Sequence, residues 1–310
     1  MLFFPYRLDV NLYRIPFFTA LVCVVCLATF LSQVKSAHTF GRDIADYCAH
    51  ETDANLHAIL DAIDDAEIPR GCANVLMGIR ETKDHDATIE RLAHEVRGLD
   101  FYVDKTQDIA YKHSAIKYGY DEFASIVPKE LTDRLAYRPD GFNVLTMITS
   151  TFAHGSWSHL IGNLVFFFIF ASCVECALGY AGFVGSFLLM AVVSSVAYHY
   201  TVAGTEGMPS IGLSGVAMGM MALLTTMLPR AKIWCFFWFL LFFRVFRVPV
   251  LLIAAWHIGW NVYDLTHPDP NSHIDYMAHV SGAATGIVLG ILFRFVAPRR
   301  LDELEMAMGS

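Results

Sequence analysis

The chain has 310 residues, of which 55% are hydrophobic and 14% aromatic, and its mean hydropathy is +0.45. That is too apolar for a soluble globular domain of this size, so it reads as a polytopic membrane protein. The net charge of -8 is sorted along the chain: Lys35 to Asp140 holds 21 acidic and 13 basic residues while the remainder balances, which leaves no basic footprint for a nucleic acid.

Ile15 to Val34 is long enough to span a bilayer, which takes ~20 apolar residues, and Arg7 and Arg14 before it put its start in the cytoplasm. A signal peptide cleaved near Val34 or Ser36 is the competing reading; the multi-span character of the rest favours a retained helix, and the orientation is the same either way. Lys35 to about Lys117 is charged. Ile44, Tyr47, Leu56, Ile59, Leu60 and Ile63 recur at helical spacing, Pro69 and Gly71 interrupt, and a second helical stretch follows around Ile89, Leu92 and Val96. The expectation is a small helical domain outside the membrane, in which an oxidising compartment would permit a Cys48–Cys72 disulfide. The other five cysteines form no metal framework and read as buried thiols.

Tyr118 to Ser158 is mixed in character and fits a segment in the membrane interface. Four spans follow, His159 to Leu178, Gly182 to Val202, Ile211 to Leu228 and Tyr276 to Val296; Val248 to Val262 can cross with help from its flanks, and Ile233 to Phe243 is too short. Seven crossings would leave Arg294, Arg299 and Arg300 outside. Six put these arginines inside with Arg230, Lys232, Arg244 and Arg247, and leave the acidic domain and the loop with Asp264, Asp269 and Asp275 outside. The positive-inside rule selects six, with Ile233 to Phe243 as a re-entrant or interfacial piece. The expected fold is therefore all-α, a six-helix membrane bundle with a helical extracytoplasmic insertion. Its divisions are 1–34, the cytoplasmic end and first span; 35–117, the insertion; 118–158, the interfacial loop; 159–298, five further spans; and 299–310, a cytoplasmic tail.

With six crossings, the second, fourth and sixth spans all run from outside to inside. His159 opens the second, Ser214 lies about a turn into the fourth and His279 about a turn into the sixth, so the three share one depth near the outer face. Ser214 stands between Gly212 and Gly215, residues that weaken a helix unless close approach or special backbone geometry requires them. Gly215 and Gly219 on one span, and Gly282, Gly286 and Gly290 on the other, have the four-residue spacing that lets helices approach closely, and His279 falls on the same face as Gly282. A plain packing role for the glycines and a structural hydrogen bond for His279 is the bland alternative, but ionisable groups inside a membrane are functional candidates. Ser214 would be the nucleophile and His279 its base, then the acid for the leaving amine. Asn163, one turn after His159, would join it and the Ser214 backbone N–H in an oxyanion hole.

The run His154-Gly-Ser-Trp-Ser-His159-Leu-Ile-Gly-Asn163, then Gly212-Leu-Ser214-Gly215, then Ala278-His279-Val-Ser-Gly282, resembles the rhomboid family of intramembrane serine proteases from about Tyr118 onward, together with the first span. The resemblance implies a Ser214–His279 dyad without a third acid, an oxyanion site at His159 and Asn163, a supporting His154, and a structural role for Glu175. It makes 159–298 the catalytic core, requires no cofactor or metal, and makes the fifth span and the loop from Asp264 to Asp275 a gate and cap. Met218 stands where many members carry a tyrosine under the base, and a Trp-Arg pair is absent near Phe142 and Asn143.

The expected partners are the lipid bilayer, single-span membrane proteins as substrates, and an extracytoplasmic partner for 35–117. The expected location is a bacterial inner membrane with both termini cytoplasmic. Asp275, four residues before His279, is considered as a third triad member and set aside, as is a metal site at His267, Asp269 and His273, which lack fixed ligand spacing. Two alternatives remain from other classes: a silent rhomboid-like protein that binds client helices, and a transporter, which would need inverted repeats that the chain lacks.

Overall fold

A computed structural model of the chain describes residues 2–8, 15–51, 53–202, 208–239, 242–269, 272 and 274–296. The tail at 299–310, including Arg299 and Arg300, lies outside the described residues, as do Arg14, Pro270 and His273. The described chain is mostly helical and divides into two compact units, Met1–Gln33 with Thr132–Ser310, and Val34–Leu131. Helix α1 (Phe17–Asp46) contributes its first part to one unit and its last part to the other.

The Val34–Leu131 unit continues from α1 through a π-helical turn, Tyr47–Glu51, to α2 (Ala54–Ala62), α3 (Cys72–Glu81), α4 (His85–His94) and α5 (Lys105–Ile126). Asp53, Asp84 and Asp104 start α2, α4 and α5 by accepting hydrogen bonds from amides of the first turn, which otherwise lack partners. Leu60, Leu76, Ile79, Ile89, Leu92 and Ile116 meet in one core. Beside it, Asp108 and Lys112 form a buried ion pair at 2.6 Å. The Lys112 ammonium, helped by the amides of Phe101 and Tyr102, holds the Asp108 carboxyl below its usual range. Helix α5 runs nine residues past Lys117, through a buried Gly119 that does not interrupt it and up to the stretch before Pro128, so this unit extends beyond the boundary that composition alone indicates.

The disulfide that the sequence permits, Cys48–Cys72, is formed and ties the π-helical turn to the start of α3. Closing a loop of this size removes unfolded-state entropy worth about 3 kcal/mol. Reduction, or Cys48→Ser with Cys72→Ser, is expected to raise amide exchange across residues 34–131 while leaving the buried amides of 214–227 unchanged.

In the other unit, short helices α6 (Leu131–Leu135) and α7 (Val144–Thr149) and a 3-10 turn, Ser150–Phe152, occupy part of the stretch expected to be an interfacial loop. The stretch α8 (Trp157–Thr201) consists of two helical arms divided at Gly179, whose φ of 72° and ψ of 175° are not helical and would be opposed by a side chain; the break falls between the two expected spans, His159 to Leu178 and Gly182 to Val202. Helix α9 (Ser214–Met227) is the centre of the bundle: every residue from Gly215 to Thr225 is buried. Helices α10 (Val250–Thr266) and α11 (Tyr276–Val296) complete it. By length and composition, three helical stretches can cross a membrane: Phe17–His50, Trp157–Thr201 and Tyr276–Val296.

Helices α9 and α11 touch through backbone. The Gly215 carbonyl packs on Gly282 and the Gly219 carbonyl on Gly286, contacts that leave no room for a β-carbon. Ser194 of α8 adds a hydrogen bond to the Ala278 carbonyl at 3.1 Å.

The all-α expectation needs one correction. The segment expected to be a re-entrant or interfacial piece, Ile233 to Phe243, is not helical where it is described: it falls in an antiparallel sheet of β1 (Leu2–Leu8), β2 (Lys232–Phe239) and β3 (Phe242–Pro249), in the order β1-β2-β3. The reason lies in the residues. Aromatic and β-branched side chains suit a pleated surface, and burial alternates, with Ile233 and Cys235 in the core and Trp234 and Phe236 half-exposed. Trp234 pairs with Arg247 across the strands, and the guanidinium lies 4.5 Å from its ring centre.

Candidate active site

Ser214 is the first residue of α9, and the preceding loop is pinned on both sides. Ser210 exchanges backbone hydrogen bonds with Tyr137, at 3.1 and 2.9 Å, and the Gly212 N–H donates to the Ser150 carbonyl at 2.9 Å. Gly212 has φ 122°, where a side chain would be strained, and there would be no space for one: a β-carbon would lie 2.8 Å from Cε1 and 3.0 Å from Nε2 of His159, and 3.7 Å from Nδ2 of Asn163. The backbone two residues before the serine therefore lies against two polar groups on one face of α8. No side chain caps α9, so its first amides keep the unsatisfied donors of a helix start.

Asn163 is buried, and its Nδ2 has no hydrogen-bond partner among the described residues; the same holds for Nε2 of His154. An unpaired buried polar group costs about 1–3 kcal/mol, so a donor held this way beside a serine is notable. His154 packs edge-on against His159 with ring centres 5.2 Å apart, and burial, followed by the neighbouring imidazole, pushes His154 down to about 4, which leaves it neutral near pH 7. Its backbone is held by the buried Gln33 amide, which accepts from the His154 N–H at 3.1 Å and donates to its carbonyl at 3.3 Å.

His279 lies in the first turn of α11. Its Nδ1 is 2.6 Å from Oδ1 of Asn261 on α10, and the imidazoles of His159 and His257 are close enough to act on it electrostatically. Gly215, next to Ser214, abuts the Ala278 carbonyl, next to His279: a β-carbon on Gly215 would lie 3.1 Å from that oxygen. The serine and the histidine therefore start two helices in backbone contact. Asp275 does not bond the imidazole. Its carboxylate accepts from the Ala278 N–H and from the Ser210 hydroxyl, both at 2.8 Å, and so clamps the loop before Ser214 to the start of α11; burial raises its carboxyl above the ordinary value.

The remaining sequence candidates are placed away from this cluster or beneath it. Glu175 accepts from the Phe18 and Thr19 amides and the Thr19 hydroxyl, at 2.8, 2.7 and 2.7 Å, and thereby caps α1. Gly282 forms the seam with Gly215, and Met218 is buried in α9, one turn past the serine. Sequence reasoning missed Asn261, Ser210 and Gln33. An amide inside the apolar run from Val250 to Val262 was the one available signal for Asn261; Ser210 and Gln33 act through contacts that no local pattern reveals.

A site of this form can hold a serine hydroxyl beside an imidazole, with donors gathered where an oxyanion would develop. If Asn163 serves as such a donor, Asn163→Ala lowers kcat about 10²-fold with little change in KM, as measured by initial rates on a model single-span substrate.

Comparison with known proteins bears on this arrangement. The Rhomboid domain family model matches residues 141–295, half of the chain. A mitochondrial presenilin-associated rhomboid-like protein of Mus musculus is 30% identical over 146 residues, covering 46% of this chain and 36% of the relative. A protein A of the same description from Danio rerio is 29% identical over 148 residues, with the same coverage, and the mitochondrial RHOMBOID-like protein 12 of Arabidopsis thaliana is 27% identical over 158, covering 46% of this chain and 44% of the relative. The match thus spans little more than a third of the mouse and zebrafish proteins. The membrane character expected from the sequence stands, while the names that place these relatives in mitochondria do not fit the expected bacterial inner membrane.

Proposed function

The chain belongs to the rhomboid family, and from that premise we propose that it is an intramembrane serine endopeptidase acting on single-span membrane proteins near the outer face. The observation that carries the proposal is the meeting of three elements at one point. His159 and Asn163 of α8 lie against Gly212, Ser214 opens α9 beside them, and α11 packs backbone to backbone so that His279 starts at the same level. In this reading six crossings are α1, the two arms of α8, α9, α10 and α11, and the disulfide-bearing unit lies on the oxidising side of an organelle membrane.

The chemistry follows from the residues. His279 takes the Ser214 Oγ proton as the oxygen attacks the scissile carbonyl, and returns it to the departing amine. His159, Asn163 and the Ser214 N–H carry the oxyanion, and water entering from the outer face hydrolyses the acyl-enzyme. A peptide bond inside a helix is shielded and its backbone groups are already satisfied, so substrates need small or helix-breaking residues near that depth. Residues 34–131 stand ready as the part that meets an extracytoplasmic partner.

The test is reconstitution of the purified protein in liposomes with a single-span substrate bearing a Gly-Ala pair near its outer end. A pair of fragments with masses that locate the cut at that depth supports the proposal. A substrate that stays intact while co-purifying with the protein would instead favour a silent client-binding protein.

A further inference from the structure

The hydrogen bond between His279 and Asn261 determines more than a contact, because the Asn261 amide can face only one way. Its Nδ2 donates to the His257 carbonyl one turn earlier in α10, at 2.8 Å. Turning the amide over would set its oxygen against that carbonyl, two acceptors in hydrogen-bond range. With Nδ2 fixed on His257, the atom 2.6 Å from His279 Nδ1 is the carbonyl oxygen, which can only accept. Nδ1 must therefore carry the proton, since a bare Nδ1 would place two lone pairs face to face.

We infer that Asn261 is the positioning residue of the site: it holds the proton of the neutral His279 imidazole on Nδ1, fixes the plane of the ring and leaves Nε2 as the basic nitrogen. A serine hydroxyl can give its proton only to a nitrogen that lacks one, so the other tautomer is unproductive. Asp275, the carboxylate just before α11, is engaged with Ala278 and Ser210. A neutral amide thus does the orienting that other serine hydrolases assign to an acid. Once His279 is protonated, the same oxygen accepts a charge-assisted bond, which favours the imidazolium formed during attack. Besides Asn261, the groups that act on the ring are the imidazoles of His159 and His257, and the Tyr276 ring lies 6.5 Å from it, centre to centre; α9 from Ser214 to Met227 carries no titratable side chain.

The tautomer is a property of the resting protein; only its catalytic consequence rests on the protease reading. Nitrogen NMR of protein labelled at its histidine rings therefore comes first. The expected result is a protonated Nδ1 and an unprotonated Nε2 for His279, with Asn261→Ala shifting the proton partly or wholly to Nε2. A proton on Nε2 in the wild type overturns the inference, whether or not the protein cleaves anything.

The kinetic arm uses the same reconstituted substrate. General-base catalysis is worth ~10²–10⁴-fold, and loss of its orientation in Asn261→Ala is expected to cost about 10- to 100-fold in kcat with KM within about twofold. Asn261→Asp, nearly isosteric and a stronger acceptor, restores most of that rate. Its added negative charge favours protonated His279, so activity is lost at higher pH on the acid side than in the wild type. A merely structural amide would leave the His279 proton on Nδ1 in the alanine variant. If that variant fails to fold, the tautomer of the wild type decides alone, because a carboxylate at position 261 moves the limb whatever the role of the amide. An active wild type with Asn261→Ala at full kcat overturns the inference while leaving the protease reading intact; an inactive wild type with the expected tautomer does the reverse.

Discussion

Ser214→Ala and His279→Ala are each expected to reduce turnover of a single-span substrate by more than about 10⁴-fold, and the double variant is expected to be no worse than either alone. The two groups act as one unit. Without the imidazole the hydroxyl is a poor nucleophile, and without the hydroxyl the imidazole has nothing to activate. Non-additivity is therefore the more telling part of the result. Rates from the double variant that fall by the product of the two single losses would mean that the residues contribute separately, and the shared site would have to be abandoned. Among the described residues neither side chain ties the bundle together broadly: Ser214 caps no helix and the His279 ring bonds Asn261, so unfolding in detergent should stay within a few degrees of the wild type.

Gly282→Ala and Gly286→Ala are expected to be the most damaging substitutions for folding. At both positions the added carbon would be driven into a carbonyl oxygen of α9, Gly215 in one case and Gly219 in the other. A flexible side chain could turn aside, but backbone cannot. The helices must separate, and because α9 is buried along nearly its whole length, the separation disturbs packing against α8 as well. We expect a loss of about 3 kcal/mol for each alanine and no folded protein for Gly286→Leu, read from thermal unfolding and from the monodisperse yield in detergent. Gly185 of α8 is the control. No atom lies within 4 Å of where its β-carbon would be, so Gly185→Ala should be neutral or stabilising by up to about 1 kcal/mol. Equal effects at Gly185 and Gly286 would mean that close approach is not what the glycines provide.

Much of the site was legible because its elements are marked locally. The glycines around Ser214, the turn between His159 and Asn163 and the spacing of His279 from Gly282 are patterns within single helices, and the proposed six crossings would set them at one depth. The fold departs from the sequence reading where the cause is non-local. The strand at Lys232–Phe239 pairs with Leu2–Leu8, more than 200 residues away, and an apolar run too short for a crossing gives no sign of that partner. Asn261 shows the same limit at the scale of a side chain. It sits in an apolar helix and has a role only because α10 brings it to the first turn of α11. Asp275 errs in the opposite direction: its spacing from His279 suggests a triad, yet a carboxylate just before a helix finds the nearer amide and a loop hydroxyl first.

The most direct measurement of the central claim is labelling of the detergent-solubilised protein with a serine-reactive fluorophosphonate, followed by mass spectrometry of the modified peptide. The account predicts covalent modification at Ser214 in the wild type and its loss in His279→Ala, since an unactivated serine does not react at a comparable rate. No labelling of a folded wild type, or labelling of Ser214 that persists undiminished without His279, would contradict it.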